Sequence, residues 1–129
     1  AESQVSNIKK CHSQMDEIYE MVAEGISILN NINTPISEFG KLLHHAWKIK
    51  KTLSQNISSS EINDIYETAI RAGAEGGKVL GAGGGGFILF FVKPEDQKKV
   101  KNALKRLTHV PFLFENSGSK VVLNQPDGF

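Results

Sequence analysis

The most constraining feature of this sequence is a run of glycines in its second half. Eight of the 12 glycines lie between Gly73 and Gly86, and six apolar residues, Phe87 to Val92, follow directly. Ordering glycine costs more conformational entropy than ordering other residues, so an ordered run must serve positive φ angles or a close approach to the backbone. A phosphate group satisfies both, because consecutive N–H groups can curve around an anion. The apolar flanks disfavour a flexible linker, and a tight turn without a ligand stays open as the alternative.

The sequence before the glycines predicts three helices. Apolar residues at steps of three and four predict a long first helix from Ser3 to Asn31 and a second from Pro35 to Leu53. Ser58 and Glu61 have the spacing of a capping box, which predicts the start of a third helix there. Gly73 stands where a glycine commonly ends a helix in a left-handed conformation.

The sequence after the glycines predicts a small sheet and a further helix. Phe87 to Val92 is typical of a strand that is buried on both faces. A fourth helix opens at Lys93 to Asp96, and two short strands follow at Phe112 to Phe114 and Lys120 to Leu123. The 129 residues make one domain, residues 1–129, of the α+β class, with helices packed on a small, mainly antiparallel sheet.

Composition excludes several functional classes. The net charge of +1 lacks the strongly basic footprint of a dedicated nucleic-acid binder. The single cysteine, Cys11, rules out an internal disulfide and fits a reducing compartment, so we expect a cytoplasmic protein. The longest apolar run is far shorter than the roughly 20 residues of a membrane helix. Adjacent His44 and His45 point about 100° apart on a helix, so we expect no zinc site there.

Two common nucleotide-binding motifs match this sequence only in part. Gly81, Gly83 and Gly86 match G-x-G-x-x-G, but the dinucleotide fingerprint requires a helix to follow and here a strand follows. Lys78 follows a glycine as in a Walker A loop, but Val79 stands where that loop needs Ser or Thr. Neither dinucleotide binding nor a Walker-type phosphate loop is therefore predicted.

The segment from Gly73 to Phe87 instead resembles the third conserved motif of the GHMP kinases. Leu42 to Ser54 and Ile62 to Tyr66 are similar to the helices of one subfamily, the D-glycero-D-manno-heptose 7-phosphate kinases. The resemblance extends over roughly residues 38–122. It implies a ferredoxin-like C-terminal domain with added N-terminal helices, from an enzyme that moves the γ-phosphoryl group of Mg-ATP onto a sugar hydroxyl.

The resemblance also implies that the catalytic residues lie on a different domain from this one. The family's P-P-x-x-G-L-[GS]-S-S phosphate loop and its catalytic base belong to an N-terminal domain, and neither motif occurs here. We therefore expect no catalytic residue in this chain, no turnover by the chain alone, and Mg²⁺ and ATP held mainly by that other domain. The residues implied to lie near the nucleotide phosphates are Gly81, Ala82, Gly83, Gly84, Gly85 and Gly86.

Three further residues are candidates for contacts with phosphate or a sugar phosphate. Lys78 is suited to neutralise phosphate charge, and a solvated lysine on a strand is the alternative. Trp47 and Lys50 lie in a basic helical segment that suits a sugar phosphate. The alternative for Trp47 is a place in the core, and for Lys50 a solvated face.

Two non-enzymatic functions stay open as alternatives. The long first helix offers a surface for protein association, for which a homodimer is the simplest form. The basic fourth helix and a ferredoxin-like sheet raise RNA binding, but such domains stack bases on exposed aromatic rings. Phe87, Phe90 and Phe91 lie in an unbroken apolar run that predicts burial, which disfavours RNA.

Overall fold

The computed structural model describes residues 2–53, 59–81 and 86–118, with side chains from Cys11 onward. Its elements are α1 (Glu2–Asn30), α2 (Ser37–Leu53), α3 (Ser60–Arg71), β1 (Ala74–Leu80), β2 (Phe87–Val92) and α4 (Gln97–Ala103). The described residues thus form an α+β fold with an antiparallel pair of strands, as predicted. None of the described helices is long and apolar enough to cross a membrane.

α1 and α2 form an antiparallel helical hairpin. The Gln14 amide donates a hydrogen bond to the Thr52 hydroxyl near the end of α2. Toward the start of α2, Leu42 lies against Gly25, where an added Cβ would be 3.5 Å from the Leu42 side chain. Met21, one turn before Gly25, is buried on the same side of α1.

α2 crosses β1 at a point where two glycines meet. A Cβ atom on Gly76 would lie 2.0 Å from the Gly40 carbonyl oxygen, and one on Gly40 would lie 2.7 Å from the Phe91 ring. Phe91 packs edge-on against Phe39 of α2, with ring centroids 6.3 Å apart. Because neither position has room for a side chain, the helix backbone rests directly on the strand.

A small core joins α3, the sheet and α4. Ala69 of α3, Ala74 of β1 and Val100 of α4 are buried together, and partly buried hydrophobic residues surround them. These neighbours are Ile70, Ala72, Phe90, Val92 and Leu104. This core therefore lies at the Ala74 end of the β1–β2 pair, which is remote from Leu80 and Phe87.

The ends of α3 show one shifted and one confirmed prediction. Ser59 is the N-cap, and its hydroxyl accepts a hydrogen bond of 3.2 Å from the Ile62 N–H. The predicted capping position is therefore wrong by one residue, and Ser58 itself lies outside the described residues. Gly73 follows the helix with φ of 113°, which confirms the predicted left-handed glycine.

The first strand is not in the predicted order of elements, and only the alternative interpretation of Lys78 places a strand at this part of the chain. Residues read from the sequence as part of a glycine loop form β1, which pairs with β2 from Ala74 opposite Val92 to Leu80 opposite Phe87. An irregularity in the pairing lies between Ala74 and Gly76. The sequence of β1 contains Glu75, two glycines and Lys78, so it lacks the alternating apolar pattern that announces a strand.

The prediction that β2 is buried on both faces is wrong. Phe87 is 62% exposed, and Ile88 to Val92 are only partly buried. α2 meets the sheet at Gly76 and the small core lies at Ala74, so the pair formed by Leu80 and Phe87 extends beyond this packing.

The predicted strand at Phe112 to Phe114 is also wrong. Residues 108–115 follow α4 without helix or strand structure, and Leu113 is 94% exposed. The rings of Phe112 and Phe114 contact each other edge-on, with centroids 5.6 Å apart. Lys120 to Leu123, its expected partner strand, lies outside the described residues. α4 begins at Gln97, after a turn formed by the residues expected to open it.

Candidate functional site

The glycine loop connects the ends of β1 and β2 at the tip of their hairpin. Gly81 and Gly86 flank the last strand pair, and both are exposed. Their φ angles are 115° and 121°, values that side chains other than hydrogen rarely permit. The structure therefore brings these two candidate residues together, while Ala82, Gly83, Gly84 and Gly85 lie outside the described residues.

Gly86 is confined by the strand that it faces. A Cβ atom on Gly86 would lie 2.5 Å from the carbonyl oxygen of Leu80, which is a backbone atom that cannot move aside independently. Together with its positive φ, this contact makes glycine a requirement of the turn itself. The tight turn weighed as an alternative explanation thus accounts for Gly86 without a ligand, and a ligand role is an addition to it.

Lys78 lies on β1 opposite Leu89, and it is exposed. It shares a face of the strand with Leu80, because alternate residues of a strand point the same way. The alternative interpretation of Lys78, a solvated lysine on a strand, describes this position, and its contact with phosphate stays a prediction.

The other two candidates lie in α2 and not in the hairpin. Trp47 is 4% exposed, and its indole packs against Tyr66 with ring centroids 5.5 Å apart. Lys50 is exposed in the last turn of α2, where a positive charge complements the helix dipole. A packing role thus accounts for the position of Trp47, and a substrate contact by either residue stays a prediction.

An aromatic cluster behind β1 was missed by the sequence analysis. Tyr66 is 1% exposed and is surrounded by rings at centroid distances between 5.5 and 5.8 Å. These rings belong to His44, Trp47 and Phe90. The cluster joins α2, α3 and β2, and the spacing of His44 and Trp47 by three residues on one helix face was its only sequence signal.

The polar atoms of this cluster form hydrogen bonds with each other and with the backbone of β1. The Tyr66 hydroxyl lies 3.1 Å from His44 Nδ1 and is hydrogen-bonded to the backbone of Gly77. Burial raises the pKa of Tyr66 to about 12, although the Gly77 bond opposes this shift. Burial, followed by the positive charge of Lys48, lowers the pKa of His44. The neutral forms of both side chains are therefore favoured beside β1.

The base of the hairpin is held by an ion pair. Lys93 Nζ, just after β2, lies 3.0 Å from Glu75 Oε1 on β1. This hydrogen bond and the charge of Glu75 raise the pKa of Lys93. Because Lys93 is well exposed, solvent screens this pair and it adds little to stability. It serves chiefly to fix the strand ends opposite the glycine loop.

The described residues offer no evident metal site. No group of three or more His, Cys, Asp or Glu side chains lies close enough to hold a metal ion in the part of the chain that the structure describes. We therefore assign no Mg²⁺ ligand to these residues.

Comparison with known proteins identifies relatives of the part of the chain that contains α2, α3, both strands and α4. The sequence model of the family described as GHMP kinases C terminal matches residues 28–109. The chain is 41% identical over 73 residues to D-glycero-alpha-D-manno-heptose 7-phosphate kinase of Campylobacter jejuni, a match covering 54% of this chain and 22% of that protein. It is 30% identical over 95 residues to bifunctional fucokinase/GDP-fucose pyrophosphorylase of Arabidopsis thaliana, covering 74% of this chain and 8% of that protein. The chain thus corresponds to a small part of each relative.

Proposed function

This chain belongs to the GHMP kinases through their C-terminal domain, and from that premise we propose that it supports the ATP-dependent phosphorylation of a sugar hydroxyl. The observation that carries the proposal is the hairpin tip, where Gly81 and Gly86 hold positive φ angles and are exposed on either side of residues 82–85. Backbone N–H groups of residues 81–86 would contact the nucleotide phosphates, with Lys78 on the adjoining strand adding positive charge. Bound Mg-ATP supplies the phosphoryl group that is transferred.

We propose D-glycero-D-manno-heptose 7-phosphate as the substrate. The proposal is supported by the 41% identity to a heptose 7-phosphate kinase, which is higher than the 30% identity to a fucokinase. A 7-phosphate group would be attracted by lysines such as Lys50. The single cysteine fits the reducing cytoplasm in which we place this reaction.

In this proposal the chain positions phosphate groups and another domain performs the chemistry. Catalysis of phosphoryl transfer consists largely of positioning and of stabilising charge on the phosphates. The P-P-x-x-G-L-[GS]-S-S loop does not occur in this sequence, so we expect that loop, and the catalytic base with it, on an N-terminal kinase domain. The chain by itself should then bind nucleotide weakly and should not turn over.

RNA binding has less support. The ring of Phe90 packs against Tyr66, and the ring of Phe91 packs against Phe39. Neither ring is free to stack on a base, which leaves Phe87 as the exposed aromatic residue of β2.

The test is an amide NMR titration of the isolated chain with Mg-ATP. We expect saturable shifts at Gly81 and Gly86 and at their strand neighbours, with the shifts reduced in Gly86→Ala. The matched control is Gly118→Ala, since an added Cβ at Gly118 meets nothing within 4 Å. Absence of shifts up to about 10 mM nucleotide would overturn the phosphate-binding role of the isolated hairpin.

The same samples test whether the chemistry belongs to another domain. A coupled assay with Mg-ATP and the heptose 7-phosphate should show no product from the chain alone. Sugar-dependent turnover would contradict the assignment of the chemistry to another domain, whatever the titration shows.

A further inference from the structure

α1 carries a wide apolar surface, and α2 covers only half of it. Met21, Gly25 and Ile28 are buried on the side that faces α2. A second row of large apolar side chains on α1 stays between 56% and 80% exposed. These five residues, which we name the α1 seam, are Met15, Tyr19, Val22, Ile26 and Leu29.

The spacing of the α1 seam is that of a coiled coil. Its steps are four, three, four and three residues, which is the alternation of the two core positions in a heptad. In the sequence the same repeat extends back to Ile8 and Val5, interrupted by His12. A strict seven-residue repeat keeps a seam turned toward one partner helix over its whole length.

α1 is also longer than the helix that supports it. Gln14 is bonded to Thr52, next to the last residue of α2. α1 extends from there to Glu2, which is roughly three further turns. Helical segments of that length are marginally stable in water without tertiary contacts. A second α1 helix that pairs with α1 over its whole length, beyond the seam as well as along it, would supply them.

The exposed area fits a dimer interface. An aromatic side chain such as Tyr19 offers on the order of 150–250 Å² and an aliphatic one somewhat less, so five that are more than half exposed leave roughly 500 Å² of apolar surface. Ile32 and Ile36, just beyond the end of α1, are also exposed, at 99% and 53%. Two seams of roughly 500 Å² each would bury about 1,000 Å² together, which is the lower size of a specific interface.

We propose that the α1 seam is a homodimer interface in which two copies of this chain pair their α1 helices. A second copy supplies a seam of the same length and spacing, as a two-fold symmetric contact requires. The two α1–α2 hairpins then form a four-helix bundle. This inference is independent of the phosphoryl-transfer proposal, because among the described elements α1 packs chiefly on α2 and not on the glycine hairpin.

The charges of α1 distinguish a second copy of this chain from a basic partner protein at the seam. Asp16, Glu20 and Glu24 are exposed beside or behind the seam, and α1 contains no lysine or arginine after Lys10. Two copies bring like charges closer, so added salt should strengthen the dimer by screening them. A partner with a basic helix would be held more weakly at high salt.

The test is sedimentation equilibrium of the whole chain at concentrations up to about 100 µM, a range that reveals interfaces of micromolar affinity. We expect a species of twice the chain mass that is stabilised by salt. Val22→Glu, at the centre of the seam, should weaken it by at least about 100-fold, because a carboxylate would be buried without a partner. The matched control Leu113→Glu changes an equally apolar residue that is 94% exposed elsewhere, and it should leave the dimer unchanged.

A second measurement needs no variant. On dilution of the wild-type chain, amide shifts should change along residues 15–29 and stay constant in the glycine hairpin. A monomer at every concentration, a dimer that resists Val22→Glu, or a dimer weakened by salt would each overturn the proposal.

Discussion

At the scale of single residues, the contact between Gly76 and Gly40 is the least tolerant of change. The Cβ of alanine at position 76 would lie 2.0 Å from a carbonyl oxygen of α2, so α2 would have to move away from β1. We expect Gly76→Ala to lower the free energy of unfolding by roughly 2–3 kcal/mol, as overpacking of a rigid contact does. Urea denaturation followed by circular dichroism measures this change.

The matched control is Gly118→Ala, which adds the same methyl group in open space. It should change stability by less than about 0.5 kcal/mol, as surface substitutions usually do. Equal effects of the two variants would show that α2 does not rest on the backbone of Gly76.

The sequence identifies some of these glycines and not others. Gly73 could be predicted, because the apolar pattern of α3 ends just before it and a terminal glycine is a local signal. The role of Gly76 could not, since it depends on the place where α2, more than thirty residues earlier, crosses the strand. Glycines required by tertiary contact and glycines required by a turn look alike in the sequence.

At the scale of elements, the start of α3 rests on one side chain. The Ser59 hydroxyl accepts the Ile62 N–H, which otherwise has no partner within the helix. Ser59→Ala should lower the free energy of unfolding by about 1 kcal/mol. Ser60→Ala, at the first helical position, is the control, and a loss at Ser60 as large as at Ser59 would contradict the assignment of the cap.

Helices were predictable where strands were not, for a physical reason. The apolar periodicity of α1 and α2 reports helix structure locally, and their bounds agree with prediction within two residues. β1 is held by its pairing with β2 and by α2, which override a glycine-rich sequence with little strand propensity. Phe112 to Phe114 show the converse, since aromatic composition alone does not supply a pairing partner.

At the scale of the whole molecule, His44 couples stability to pH. Its ring lies between α2 and α3, stacked on Tyr66, and burial lowers its pKa from 6.5. Between the lowered pKa and 6.5 the unfolded chain binds a proton at this site more readily than the folded chain does. The stabilisation is therefore complete above about pH 6.5 and is lost as the pH falls toward the pKa of the folded state.

We expect the free energy of unfolding to decrease between pH 7 and pH 5, and part of this slope to disappear in His44→Gln. Glutamine keeps a polar side chain near the Tyr66 hydroxyl but does not titrate. Urea titrations of both proteins at several pH values compare the slopes directly, and the NMR titration of the His44 ring gives its pKa. A slope unchanged by the substitution, or a ring pKa above 6.5, would show that His44 is not desolvated where α2 and α3 meet.

Because Tyr66 also contacts Gly77, the same protonation should perturb β1 before the molecule unfolds, with the largest amide shifts at Gly77 and its neighbours.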